Sequence, residues 1–201
     1  MVINFTDNYQ FNTRMTLNET LLNQVRETRL LGVVVNDSLT WHSNTDFIVK
    51  KAFKRMIMLH KLFEFNLPVE DMLEIFILYI RSILESSAVV WHSSITQGEE
   101  MEPERVQKVA LRIILDGDYS TYSKALEVTG LQTLSERRKT LCKKFALNCT
   151  KNEKTSDMFP MNPSLVNTRN HEKYYVYPAK TGRLANSAIP YMAGLLNSNV
   201  K

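Results

Sequence analysis

The chain has 201 residues, 44% of them hydrophobic and 23% charged, and its 25 Lys and Arg against 21 Asp and Glu give a formal charge of +4. That is enough apolar material for the core of one large or two small domains. The mild positive charge permits contact with nucleic acid without requiring it. Cys142 and Cys149 stand seven apart in a helix-like segment, about two turns, which is too far for a disulfide and points to reduced, buried thiols in an intracellular protein. The start, MVINFTDNYQ, has neither a basic n-region nor an apolar h-region, so no signal peptide is expected. The most apolar run, Met72 to Leu84, holds Glu74 and Arg81 and is shorter than the roughly 20 residues that cross a bilayer, so no membrane partner is expected.

Residues 1–35 read as β structure. Met1 to Phe5 is apolar and β-branched, Met15 to Leu17 leads into an Asn18-Glu19 turn, Leu21 to Val25 can return, and Leu30 to Val35 forms a strong β run around Gly32. Three or four short strands predict one small antiparallel sheet, which needs helices against it. Asn36, Asp37 and Ser38 end the last strand, since all three favour turns. From Ser43 the period changes. Ser43 and Asp46 fit an imperfect capping box, and Ile48, Ala52, Met56, Leu59 and Phe63 form one stripe of an amphipathic helix. Its opposite face carries Lys50, Lys51, Lys54, Arg55 and Lys61. A second helix from Pro68 to about Glu85 is apolar nearly all round and should be central. After a connection over 86–98, helices follow over about 100–115, 119–129 with Gly130 as C-cap, and 134–150 opened by the Thr133/Glu136 capping box. Beyond Lys151 the prolines predict an irregular tail, with a short last helix over 185–197. The expected fold class is α+β, a small N-terminal antiparallel sheet on a mainly helical domain. Leu31, Val33, Val35, Ile48, Phe53, Met56, Ile75, Tyr79, Ile83, Trp91, Leu111, Leu134 and Phe145 are expected to be buried.

No catalytic constellation is legible. His42, His60, His92 and His171 lie at no zinc spacing, none begins an H-x-D, and there is no G-x-G-x-x-G, P-loop or G-x-S-x-G. Asp116 and Asp118 read as a turn that also caps the next helix rather than as a Mg²⁺ pair. Neither metal nor cofactor is expected. Basic residues are the better lead. Besides the first helix, Arg105, Lys108 and Arg112 recur at spacings of three and four, and Arg137, Arg138, Lys139, Lys143 and Lys144 line the helix after Thr133. Such rows are either solvated faces or a surface for phosphates, and the candidate nucleic-acid contacts are Lys50, Lys51, Lys54 and Arg55 on the first helix with Arg105, Lys108 and Arg112. Phe53, Phe63, Phe65 and Trp91 read as core rather than as platforms for bases.

The order of motifs carries more. Leu31-Gly32 with Leu39 and Trp41, Arg81 and Glu85 before Val90-Trp91, Q-x-x-A-x-R-I-I over 107–114, L-x-x-L-x-x-R-R over 131–138 and R-x-x-N-S-x-I-P over 183–190 together resemble the C-terminal part of non-LTR retrotransposon reverse transcriptases of the jockey type. The resemblance spans nearly the whole chain. It implies that 1–40 are the last strands of a polymerase palm, with Leu30, Leu31 and Gly32 at the primer-grip strand, that 41–150 are a helical thumb, and that 151–201 are its tail. It also implies a weak RNA–DNA hybrid or other nucleic-acid partner, alongside the palm and fingers of a full-length element. The Y-x-D-D hairpin of such enzymes lies upstream of the region resembled and does not occur here, so two-metal nucleotide transfer is not expected of this chain. A protein-interaction module and a non-functional translated fragment are the alternatives. The segment 25–65 also resembles the N-terminal region of AlkB-homologue tRNA-modifying proteins, but the missing H-x-D and glycine loop argue against dioxygenase and methyltransferase chemistry.

Overall fold

A computed structural model describes residues 1–5, 15–163 and 173–198. The fold is α+β, with two small hairpins leading into a helical assembly. β1 (Thr16–Leu17) pairs antiparallel with β2 (Thr20–Leu21) across Asn18 and Glu19, both at positive φ. β3 (Glu27–Leu30) pairs with β4 (Val33–Asn36) across Leu31 and Gly32, at φ 48° and 91°. Two adjacent positive φ values give the turn whose twist suits a two-residue hairpin, and Gly32 takes one of them without a Cβ clash. Two expectations fall here. The run from Leu30 to Val35 is two strands rather than one, and the strands form two separate two-stranded sheets rather than one sheet. Met1 to Phe5 contributes only an isolated bridge from Val2 to Gln24. Leu31, expected in the core, is 95% exposed at the hairpin tip.

β4 places the second hairpin on the helices. Val33 enters the main core, and the Val34 N–H donates to Asn44 Oδ1 at 3.1 Å. That bond ties the strand to α1 (His42–Glu64), which starts two residues earlier than a Ser43 N-cap predicts. Trp41 is the N-cap with no side-chain cap, and Asp46 turns to Lys50 instead. The α1 stripe of Ile48, Val49, Ala52, Met56 and Leu59 is buried as its period requires, each large side chain contributing on the order of 1.5–3 kcal/mol. Phe63, at its end, stays 37% exposed, and Phe65 beyond it 76%.

Pro68 is the N-cap of α2 (Val69–Ile75), which runs on through a π-helical segment (Phe76–Arg81) into α3 (Ser82–Leu84). The reason lies in the spacing of the core residues. Met72, Phe76, Ile80 and Leu84 are each four apart and all buried. In an α-helix a spacing of four over-rotates by about 40° per step, and the wider i→i+5 turn returns the row to the core. The same re-phasing turns Leu78 and Tyr79 outward, 65% and 46% exposed, so Tyr79 is not the core residue that α-periodicity predicts. This helix is therefore central on one face only.

The connection over 86–98 is more ordered than expected. α4 (Ala88–Trp91) and a 3-10 turn over 92–94 lead to Thr96, whose capping box with Glu99 opens α5 (Gln97–Leu115). α5 runs alongside α1 in the same direction: His42 meets Glu99 at one end, and Phe63 and Leu115 line one cleft at the other. Asp116–Asp118 form an exposed 3-10 turn, and Thr121, not Asp118, caps α6 (Tyr122–Thr129). Gly130 ends α6 at φ 66°, and the Thr133/Glu136 capping box opens α7 (Leu134–Lys151), both as the sequence predicts. The tail is not merely irregular. α8 (Gly182–Ala185) and α9 (Ala188–Asn197) follow it, and Phe159, Met192, Ala193, Leu195 and Leu196 form a second core with Cys142, Ala146 and Cys149 of α7. Because small residues occupy the α7 stripe, Phe145 lies beside it, 38% exposed rather than buried. Val35, Phe53 and Ile75 are half-buried, and the other expected core residues are buried.

Candidate nucleic-acid interface

On α1 the sequence fixes which side faces water, and the four expected contact residues divide. Lys50, Lys51 and Lys54 are exposed and opposite the buried stripe. Lys50 Nζ lies 2.6 Å from Asp46 Oδ2, an exposed i,i+4 pair of little energetic weight. Lys51 and Lys54 pair with no carboxylate among the described residues. Arg55 behaves differently. It crosses to the π-helical segment, donates to the Tyr79 carbonyl at 2.7 Å and lies over the Tyr79 ring with its guanidinium carbon 3.9 Å from the centroid. It is half clamp and half surface.

Arg105, Lys108 and Arg112 stand on the outer side of α5. None pairs with Glu100, Glu102 or Glu104. Lys108 leans on the Tyr122 ring at 5.0 Å and Arg112 on the Tyr119 ring at 5.4 Å, while Arg105 is exposed. The glutamates serve the fold: Glu104 accepts from the Tyr122 hydroxyl and from the Leu134 N–H (2.9 Å), and Glu100 accepts from Ser135. Burial and the bond to Glu104 raise the Tyr122 pKa. Between the N-terminal ends of α1 and α5 lies a cleft lined by His42, Asp46, Glu99 and Glu102, which bounds the basic surface with negative charge.

Leu30, Leu31 and Gly32 lie at the tip of the β3–β4 hairpin, where Leu30 and Leu31 are exposed. The hairpin brings up a cation that sequence reasoning misses. Arg29 reaches the Phe47 ring at 4.7 Å, and Phe47 is three and four residues before Lys50 and Lys51, so Arg29 approaches the same flank of α1. Tyr79 is the other omission. Its signal was the strict spacing of four in 72, 76, 80 and 84, which an α-helix cannot keep on one face.

The basic residues of α7 divide: Lys139 and Lys144 are exposed as the sequence suggests, but Arg137 and Arg138 are drawn into the fold. Arg138 is completely buried. Its Nε donates to His92 Nδ1 at 3.4 Å, its guanidinium carbon lies 5.4 Å from the Trp91 ring, and its terminal nitrogens bond no described group. Burial lowers its pKa, and Glu104, Glu100 and Glu85 act to raise it. An arginine Nε can only donate, so His92 is neutral with its proton on Nε2, facing the Tyr191 hydroxyl at 3.5 Å. Burial, then Arg138, pushes the His92 pKa down to about 4. Arg137 is also committed: Glu85 takes Arg81 at 3.2 Å and Arg137 at 3.3 Å. Burial pushes the Cys142 thiol up to about 11.

No family model, curated protein or solved structure matches the chain. What it does is therefore argued from these side chains. Among the described residues no three His, Cys, Asp or Glu side chains stand together as a metal site, and no helix is long and apolar enough to cross a membrane. His171 lies outside the described residues.

Proposed function

We propose that this chain is the thumb-side part of a retrotransposon reverse transcriptase, without the aspartates for nucleotide transfer, and that it binds nucleic acid weakly through phosphates. The observation that carries the reading is the flank of α1, where Lys51 and Lys54 have no acidic partner among the described residues and Arg29 and Arg55 border them. A row of free cations on a rigid helix suits a polyanion. It offers no arrangement for reading base edges, so binding should be independent of sequence. Only a few phosphates can be neutralised at once, which sets the affinity in the non-specific range of roughly 10⁻⁴–10⁻⁶ M at physiological salt. Arg105 is a further exposed cation, on α5, with Lys108 and Arg112 held closer to their tyrosines.

The test is an anisotropy titration of the full chain against two RNA–DNA hybrids of unrelated sequence. Equal, weak, salt-sensitive binding is expected, together with no primer extension in the presence of Mg²⁺ and nucleotides. Absence of binding at low salt, a preference for one sequence, or extension above background would each defeat the reading.

A further inference from the structure

We infer that Tyr79, with Arg55 stacked on it, is a platform for an unpaired base, so that the chain prefers single-stranded or frayed nucleic acid to a closed duplex. This rests on the phosphate-binding reading and specifies its ligand. Tyr79 is a large ring held outside the core, 46% exposed, by the π-helical turn that brings Phe76 and Ile80 inward. Such turns occur often at functional positions. The ring is not loose. Arg55 covers one side at 3.9 Å while its Nη1 is anchored on the Tyr79 carbonyl at 2.7 Å, so ring and guanidinium plane are fixed relative to each other before any ligand arrives. The Tyr79 hydroxyl has no bond among the described residues, and its neighbour Leu78 is 65% exposed, so the free edge of the pair faces water.

Charge decides the occupant. Lys51 is one helical turn before Arg55 and Lys54 is adjacent to it, both without carboxylate partners among the described residues, so the platform lies beside cations that a backbone phosphate can reach. Aromatic and arginine planes both stack on nucleobases, and stacking tolerates any sequence because every base has a π-face. In a closed duplex the base faces are covered by neighbouring pairs. A protein segment would need acidic groups for the lysines and an apolar group for the ring, whereas one unpaired nucleotide supplies phosphate and flat base together.

The experiment titrates the full chain against a fluorescein-labelled oligothymidine strand and a blunt RNA–DNA hybrid of the same length at low salt. Tyr79→Ala should weaken binding to the single strand by about fivefold or more and leave the blunt hybrid unchanged. Tyr79→Phe should bind both as the parent does, since the ring and not the hydroxyl stacks. Tyr79→Leu, which keeps apolar bulk without a flat ring, should reproduce the alanine loss if the alanine variant folds poorly. Equal weakening on both ligands, or no change on either, would overturn the platform while leaving phosphate binding in place; the pair would then serve only to join α1 to the second helix. If the parent binds neither ligand, the phosphate reading itself fails and the platform falls with it.

Discussion

Helices α1 and α7 carry similar rows of lysine and arginine, yet on α7 two arginines of the row are drawn into the fold. On α1 the cations fall outside the stripe of Ile48, Ala52, Met56 and Leu59, and Lys51 and Lys54 meet no carboxylate among the described residues. On α7, Arg138 falls four residues after Leu134 and four before Cys142, inside the buried stripe, and becomes one of the largest fully buried side chains. Arg137 beside it reaches Glu85. The phase of a basic residue relative to the apolar stripe, not the number of basic residues, decides between surface and scaffold. The motif residues follow the same division. Arg81, Glu85 and Arg137 form one ion-pair cluster, Arg138 lies against Trp91, and Gln107 Nε2 bonds the Tyr122 hydroxyl and the Gln132 carbonyl. Of the residues that carry the resemblance, Trp41, Trp91, Gln107 and Arg138 are buried in the fold, whereas Leu31 and Leu39 are exposed and Arg112 belongs to the proposed contact surface.

The contrast can be broken first at Trp91. Trp91→Ala removes a fully buried ring and its bond to the Ser86 carbonyl (3.0 Å), and should cost about 3–5 kcal/mol by urea denaturation, whereas Lys54→Ala should stay within about 0.5 kcal/mol of the parent. Comparable losses at both sites would mean that the division is drawn wrongly.

A second effect belongs to His92. Its pKa in the folded chain is about 4, below the ordinary 6.5, so the unfolded chain binds more protons between those values. The stabilisation is complete above about pH 6.5 and is lost as pH falls towards 4, an effect of up to about 3 kcal/mol across that window. His92→Asn keeps an acceptor for Arg138 but does not titrate. The stability of the parent relative to the variant should therefore fall as pH drops from about 6.5 towards 4 and be flat above that window. A pH-independent difference would contradict the buried, neutral imidazole. Smaller still is the cap of α7. Thr133→Ala removes the acceptor for the Glu136 N–H (3.2 Å) and should cost about 1 kcal/mol in thermal or urea unfolding.

Much of this scaffold was legible in the sequence. The helix over 134–150, its capping box, the αL glycine at 130 and the α1 stripe depend on local spacing and local hydrogen bonds. What was not legible depended on where a turn or a phase shift fell. Leu31 and Gly32 look like strand until both take positive φ. Tyr79 looks like core until the row at spacing four opens a π turn, and Arg138 looks like surface because charged side chains are seldom fully buried. The tail beyond Lys151 has no period of its own, and the small residues of α7 gave no hint that it would build a second core there. In the candidate site, the α1 lysines could be placed from the helix period alone. Arg29 reached the flank through a hairpin, and Arg55 was bound to Tyr79 through a contact between distant segments.

The central claim is that free cations on α1 contact phosphates. Its most direct test is the salt dependence of hybrid binding for the parent and for two triple variants, Lys50→Ala/Lys51→Ala/Lys54→Ala and Arg105→Ala/Lys108→Ala/Arg112→Ala. Arg55 is kept, since removing its clamp on Tyr79 would confuse folding with binding. The α1 triple variant should weaken binding equally on all sequences and reduce the slope of log K against log salt by roughly 2 to 3. The α5 triple variant should reduce it less, because Lys108 and Arg112 rest on tyrosines. A folded α1 variant with the affinity and salt slope of the parent would contradict the account and leave that face of α1 as solvated surface.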